Sequence, residues 1–449
     1  FRSTQRSSGR VLRLYAINKH SAGNKKELVI LGAGWAGFRL IKDIDLAKYN
    51  VHVISPRNHF LFTPLLSSAA SGTLEFRSVI EPIRRVHHSS NYHCYEGGVT
   101  DINPSNKTVT INPNDDQDAP FELRYDRLVI AIGCDVNTYG LPGVAENAYP
   151  IKEIHHARAI RKNIINCFER ASNPNTSLEL RRELLHFVVV GAGPTGIELA
   201  AELHDLMYQD LFKNFPQEIQ LDVQMTVLEA SPTILTAFDQ SLQDYTRKVF
   251  TKERIRLRTE TSVKEIPDPH TVVLADNSVI KCGMVIWSAG IGPRKVIKEL
   301  RDKIPVDDKW KKIPVDDFLR VKDLKDVFAM GDCAVVSSKP LTATAQVAQQ
   351  QGKYLANILN KIDSTDEVFE NAEENHVLKP FFYRHQGLMA YIGSYKAVSD
   401  IGDVKIGGYA SWLLWRSAYL TKLVSWKNKL LVPFDWAKTF FFGRDISKF

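Results

Sequence analysis

Residues 28–37 read Leu28-Val29-Ile30-Leu31-Gly32-Ala33-Gly34-Trp35-Ala36-Gly37, and the fold turns on how this stretch is read. Four apolar residues in a row predict a strand buried on both faces, as in a parallel sheet. Gly32, Gly34 and Gly37 follow in Gly-x-Gly-x-x-Gly spacing, and Phe38, Leu40, Ile41 and Ile44 continue at a helical period. Gly32 permits a tight turn, Gly34 lets the backbone approach a pyrophosphate, and Gly37 lets helix and strand pack closely. The new helix presents its positive N-terminal end to the phosphates. One such motif is a weak signal, but it recurs. Phe187-Val188-Val189-Val190 leads into Gly191-Ala192-Gly193-Pro194-Thr195-Gly196 and a second helix over 197–207. Two strand–glycine–helix units predict an α/β protein with two Rossmann-like dinucleotide-binding domains.

The chain has 449 residues, 44% hydrophobic and 24% charged, which suits two or three globular domains. Its charge of +7 is local: residues 1–26 carry seven Lys/Arg (Arg2, Arg6, Arg10, Arg13, Lys19, Lys25, Lys26) and no acid. Removing those seven from the 58 basic residues leaves 51, against 51 acidic ones. The body is thus neutral and has no footprint for nucleic acid. A basic, Ser-rich, acid-free leader has the composition of a mitochondrial transit peptide or its remnant, and equally of a plain basic tail. No run of eighteen apolar residues occurs, so no membrane-spanning helix and no proton-pumping route are expected. Cys94, Cys134, Cys167, Cys282 and Cys333 are scattered without Cys-x-x-Cys or metal-ligand spacing, which reads as free buried thiols.

In chain order, Val51–Ile54 is the next strand, ending at Ser55-Pro56-Arg57 where many such folds carry an acid for the ribose. Residues 58–68 are too apolar for a plain surface loop and are expected over a bound group. Strands over 99–111 with an Asn103-Pro104 turn lead to a strand over 125–133, closed by Ala131 and Gly133. A helix over 154–171 then leaves the first lobe. In the second lobe Glu229 closes a strand over 223–228 in the ribose position, 38 residues after Gly191 because of an insert over 208–221. A strand over 284–290 ends in Ala289 and Gly290. The chain returns to the first lobe with a strand running into Gly331-Asp332 and a helix over 344–362 carrying Gln346, Gln349 and Gln350. Residues 363–375 form an acidic linker without calcium-loop spacing.

Residues 409–449 hold four of the seven tryptophans (Trp412, Trp415, Trp426, Trp436), Phe440-Phe441-Phe442, and seven Lys/Arg against two Asp. Trp412, Trp415, Tyr419, Leu420, Leu423 and Trp426 recur at helical spacing, and Pro433 is expected to start a second short helix. An aromatic stripe bordered by cations suits an amphipathic helix in a membrane interface, or a packing face. The expected division is an arm over 1–26, a first dinucleotide domain over 27–150 and again over 306–395, a second over 151–305, and an anchoring and dimerisation segment over 396–449.

Together these motifs resemble the type II (alternative) NADH:quinone oxidoreductases, over nearly the whole chain from Lys26. The matching stretches are Gly-Ala-Gly-Trp-Ala-Gly (32–37), Ser-Pro-Arg-Asn-His-Phe-Leu-Phe-Thr-Pro-Leu-Leu (55–66), Gly-Pro-Thr-Gly-Ile-Glu (193–198), Gly-Asp-Cys (331–333), Ala-Gln-Val-Ala-Gln-Gln (345–350) and Asp-Trp-Ala-Lys-Thr-Phe-Phe-Phe-Gly-Arg-Asp (435–445). The resemblance implies a mitochondrial enzyme of the non-proton-pumping, rotenone-insensitive type, passing a hydride from NADH to FAD and two electrons to ubiquinone. It implies FAD on Gly32, Gly34 and Gly37, with Ser55, Pro56 and Arg57 near the adenosine. Thr63, Val99, Ala131, Gly133, Gly331, Asp332, Ala345 and Gln346 would complete that site. NADH would lie on Gly191, Gly193, Thr195, Gly196, Ile197, Glu198, Glu229, Ala289 and Gly290. Glu198, Gln346 and Gln350 are the implied catalytic residues, and Gln346, Gln349 and Gln350 the quinone contacts. Glu198 also reads simply as an acid meeting a helix N-terminus. Implied partners are anionic phospholipid at the C-terminal helices, with Lys427, Lys429 and Arg444 attracting it, a second copy in a homodimer, and larger respiratory complexes. The implied place is peripheral on the mitochondrial inner membrane.

Alternatives are an apoptosis-inducing-factor-like NAD(P)H oxidoreductase, a sulfide:quinone oxidoreductase, or a non-catalytic flavoprotein subunit of a respiratory assembly. Disulfide reductases need a paired redox cysteine, and none is present.

Overall fold

The computed structural model describes residues 13–14, 25–304, 310–361 and 378–448. Most of the basic arm and the acidic linker over 363–375 therefore lie outside the described residues. Contacts divide the chain into two compact units. The first comprises Phe1–Phe60, Pro82–Asp135 and Gly292–His385; the second comprises Leu61–Glu81, Val136–Ile291 and Gln386–Phe449.

In the first unit, the strand Lys26–Leu31 lies between Tyr49–Ser55 and Arg127–Ile130, all parallel, with Ile30 opposite Val53 and Val129. Val327–Ala329 extends the sheet past Arg127–Ile130, and Tyr92–Asn103 extends it past Tyr49–Ser55. Leu28, Val29, Ile30 and Leu31 are all fully buried, as a strand covered on both faces must be. The chain leaves Lys26–Leu31 for one neighbour and later returns on its other side. Gly32 thus stands at a topological switch point, where open α/β sheets bind ligands. The expected strands over 99–111 are two, Tyr92–Asn103 and Thr108–Pro113, paired antiparallel across the Asn103-Pro104 turn.

The second unit repeats the plan. His186–Val190 lies between Met284–Trp287 and Gln224–Leu228, again all parallel, placing Gly191 at the second switch point. The helix Pro194–Leu206 continues through a single π-turn, Met207–Leu211, and so runs past the expected end at 207 in wider-wound form. The contacts draw the C-terminal boundary elsewhere than after 395. Of the antiparallel strands Leu388–Gly393, Lys396–Ile401 and Val404–Gly408, the first packs on Pro194–Leu206, so residues from Gln386 onward join the second unit. The helices Tyr409–Lys422 and Trp426–Phe442 follow. Pro433 does not start the second of these but lies inside it. A proline there costs about 3 kcal/mol. Buried Val432 and Trp436 hold the helix down across it, and Asp435 accepts from Ser78 Oγ (2.6 Å) and the Glu75 N–H (3.1 Å). Among the described residues no helix is long and apolar enough to cross a membrane.

Candidate functional site

Each unit carries one glycine cradle, built alike. Gly32 has φ +98°, and a Cβ there would stand 2.4 Å from the Ala131 carbonyl oxygen; one on Gly37 would stand 1.9 Å from that of Gly32. A Cβ on Gly34 would meet nothing within 4 Å. Two glycines thus serve the close packing of turn, helix and sheet, and the third leaves an open backbone face. No side chain caps the helix Trp35–Asp43 at Gly34. That is the chemistry a pyrophosphate needs.

Around this cradle, Ser55 ends its strand buried, with Oγ accepting from the Arg57 N–H (3.2 Å), and the Pro56 carbonyl accepts from Asn114 Nδ2 (2.7 Å). Val99 lies on Tyr92–Asn103. Ala131 and Gly133 follow Arg127–Ile130, and Gly133 takes φ +67° with open space where a Cβ would be. The Cys134 thiol donates to Asp332 Oδ2 (3.3 Å), and the Gly331 N–H donates to Gln351 Oε1 (2.7 Å). Ala345 opens the helix Ala345–Lys361, where Gln346 Oε1 accepts from the Tyr383 hydroxyl (3.3 Å). Gln350 is committed to backbone: its Nε2 donates to the Arg384 carbonyl and its Oε1 accepts from the Arg384 N–H, both at 2.9 Å. Gln349 is half-buried. Sequence reasoning missed Gln351, one residue beyond the glutamines it chose; helical phase buries it and turns it to Gly331. Thr63 opens the short turn Thr63–Leu65 of the second unit.

In the second cradle Gly191 has φ +103°, and a Cβ on Gly196 would stand 1.9 Å from the Gly191 carbonyl oxygen and 2.6 Å from Ser288 Oγ. Gly193 again faces nothing within 4 Å. Pro194 starts the helix with its φ already set, and Thr195 stands exposed on that first turn while Ile197 is buried. Glu229 ends its strand beside the turn: Oε2 accepts from the Ala192 N–H (2.7 Å), and Oε1 from the Ser231 N–H (2.9 Å) and hydroxyl (2.8 Å). The long insert has not displaced it. Ala289 and Gly290 follow Met284–Trp287, and the Tyr139 hydroxyl occupies the place a Gly290 side chain would take.

Glu198 is 8% exposed. Among the described residues its Oε1 accepts two long bonds, from the Tyr391 N–H (3.2 Å) and the Trp415 indole N–H (3.3 Å). Burial pushes its carboxyl up to about 8; the two donors oppose the rise and the Glu202 charge adds to it. A carboxyl that keeps its proton at neutral pH is a candidate acid. Tyr391 carried no signal in the sequence. Trp415 did, but for another role. Trp412, Trp415, Leu423 and Trp436 are buried, so most of the expected interfacial stripe packs inward, and of its residues Trp426 stands exposed. The exposed apolar residues are instead Tyr409, Leu413, Leu414, Trp426, Leu430, Phe434 and Phe440–Phe442. Arg444 is not a surface cation either: its side chain is 6% exposed and pairs with Asp210 Oδ2 at 2.7 Å. The five cysteines are free and buried.

Two units, each with an open-faced glycine turn at the switch point of its parallel strands, define an α/β protein with two dinucleotide-binding cradles. Residues 26–352 match the pyridine nucleotide-disulphide oxidoreductase family, and residues 385–445 match the NDH2 C-terminal domain. A probable NADH dehydrogenase of Dictyostelium discoideum is 44% identical over 94% of this chain and 91% of its own length. The mitochondrial external alternative NADH-ubiquinone oxidoreductase of Yarrowia lipolytica is 38% identical over 95% of this chain and 81% of its own. The structure of NDH2 from Plasmodium falciparum in complex with NADH superposes with a TM-score of 0.88 at 28% identity, covering 94% of this chain and all of that one. The chain belongs to the type II NADH dehydrogenases (NDH2), within the pyridine nucleotide-disulphide oxidoreductase family.

Proposed function

We propose that this chain is an NADH:ubiquinone oxidoreductase working peripherally on the mitochondrial inner membrane, with FAD on the first cradle and NADH on the second. The observation that carries this reading is the pair of glycine turns in which, of the three motif glycines, the middle one (Gly34 or Gly193) has open space beside the backbone. Both cradles fit a dinucleotide pyrophosphate on that test. The chemistry supplied by bound FAD is acceptance of two electrons from NADH and their donation to ubiquinone. The protein binds, orients and holds protons. Gly32, Gly34 and Gly37 with the first turn of Trp35–Asp43 would hold the FAD pyrophosphate, Ser55–Arg57 its adenosine end, and Asp332 its hydroxyls. Gly191, Gly193 and Gly196 would hold NADH. Gln346 and Gln349 retain the better claim to quinone contact; Gln350 serves by pinning Arg384 to the same helix. Steady-state NADH oxidation with a soluble quinone tests the whole reading, and purified protein without flavin absorbance would end it.

Glu229 argues for NADH over NADPH. Oε2 of its carboxylate, which accepts one bond where Oε1 accepts two, has a lone pair left for a ribose hydroxyl, and the extra phosphate of NADPH would meet that charge. A tenfold or larger advantage in kcat/KM for NADH is expected, since like charges at a few ångströms repel by about 4 kcal/mol at a surface-like dielectric. Glu229→Gln is expected to narrow the ratio; equal efficiencies in the parent protein would refute the argument.

Glu198 is the proton-holding group of the site. Activity that needs its proton falls as pH rises through about 8, and Glu198→Gln is expected to abolish that limb. Stability follows the same sign. Between the ordinary carboxyl value of 4.5 and about 8 the unfolded chain has lost this proton and the folded chain keeps it. The contribution is full in acid and drains away as pH rises through the upper value. Urea titrations across this range are expected to show a shallower pH slope in Glu198→Gln.

The membrane reading rests on Trp426, 80% exposed, with Leu430, Phe434 and Phe440–Phe442 on the same helix beside Lys427, Lys429 and Lys438. A second copy docked through residues 396–449 would share this surface.

A further inference from the structure

The helix Pro194–Leu206 and its π-turn carry four carboxylates, Glu198, Glu202, Asp205 and Asp210, and all four are buried. Buried anions cost several kcal/mol each unless they are hydrogen-bonded or paired. Three of them are provided for. Glu202 Oε1 accepts from the Ser68 hydroxyl (2.6 Å), and Oε2 from those of Ser71 (2.7 Å) and Thr73 (2.8 Å). Asp205 accepts from the Tyr391 hydroxyl and the Ser394 N–H. Asp210 takes both the Arg444 N–H (3.1 Å) and its Nη1 (2.7 Å). Arg444 also donates Nε to Thr73 Oγ1 (2.9 Å) and brings Nη2 to 3.9 Å from Glu202 Oε2. Among the described residues Glu198, one turn from Glu202, has its two long contacts.

We infer that Glu202 is a positioning residue that, from one helical turn away, governs how tightly Glu198 holds its proton, with Arg444 as the opposing charge. Three hydroxyl donors and a buried guanidinium surround the Glu202 carboxyl group. Residues i and i+4 share a helix face, and in a low-dielectric surround an anion there disfavours a second one. The groups facing this pair are Tyr391 from the strands, Trp415, Tyr419 and Arg416 from Tyr409–Lys422, the hydroxyls of 68–73, and Arg444. Arg416 lies between the rings of Trp412 and Trp436, 4.1 and 4.4 Å from their centroids. Arg444 is thus the guanidinium fixed within 4 Å of Glu202.

The test is an infrared titration of the Glu198 carboxyl in the full flavin-loaded chain, its band assigned as the one lost in Glu198→Gln. Glu202→Gln is expected to lower the titration point by on the order of one pH unit. Arg444→Gln removes a cation and is expected to raise it, while Glu202→Asp keeps the charge and stays near the parent value. Opposite signs are the signature, because mere loosening of the core would move both variants toward the solvent value. If one variant fails to retain flavin, the sign of the other decides. An unchanged or raised value in Glu202→Gln, or a lowered one in Arg444→Gln, overturns the inference. It rests on Glu198 as the proton-holding group of the proposed site. Shifts of the expected sign without a matching move of the activity limb would refute that catalytic role and leave the charge coupling standing.

Discussion

A Gly196→Val variant is expected to purify yellow, with its flavin, and to lose at least about 100-fold in kcat/KM for NADH, the scale on which a displacement of about 1 Å disables a binding site. The first atom of any side chain at 196 would stand 1.9 Å from the Gly191 carbonyl oxygen. That neighbour is backbone at the switch point and has no rotamer to change. The helix Pro194–Leu206 must back away from the turn, carrying its N-terminal amides and Glu198 with it. The first cradle, proposed to hold the flavin, belongs to the other compact unit and keeps its own glycines. Gly37→Val makes the mirrored clash with the Gly32 carbonyl oxygen, also at 1.9 Å, and is expected to give colourless protein. Flavin absorbance and NADH titration read the two losses separately. If Gly196→Val kept normal NADH kinetics, the second motif would not be the NADH cradle.

The triple variant Leu430→Glu, Phe434→Glu, Phe441→Glu is expected to leave the membrane fraction while keeping its fold and its activity with a soluble quinone. These side chains are exposed by 66% or more, so the body has no packing to lose. At about 1.5 kcal/mol for each large apolar side chain withdrawn from water, the three together supply about 4.5 kcal/mol, more than a thousandfold in partitioning. Deleting residues 409–449, the obvious experiment from the sequence, is not a clean test. It would also remove buried Trp412, Trp415 and Trp436, the indole donor to Glu198, and the guanidinium that pairs with Asp210. Flotation with anionic vesicles separates the outcomes: a folded triple variant that still floats would show that this helix face is not the anchor.

The two cradles were legible because their cause is local. A glycine is needed at 32 or 191 by φ and at 37 or 196 by a carbonyl a few residues back along the chain, so spacing alone carries the requirement. Glu229 was legible for a similar reason: a strand that enters a parallel sheet in register delivers its last residue to the glycine turn whatever the length of the insert before it. The C-terminal segment was legible only as an amphipathic pattern. Helical spacing groups Trp412, Trp415 and Tyr419 on one face, but the identity of what that face meets is written elsewhere in the chain. In the structure it meets Glu198 and Tyr391, and water is left to the residues on the other side. Arg444 shows the limit most plainly. By composition it was one more surface cation, and only the arrival of Asp210, Thr73 and Glu202 from two distant segments made it a buried counter-charge. The sequence alone determined the two dinucleotide turns and their strands, because sterics among near neighbours dictate them. Tertiary structure decided which aromatics are core, which glutamine holds the Gly331 turn and which carboxyl keeps its proton, because burial and electrostatics depend on residues the chain brings together from far apart.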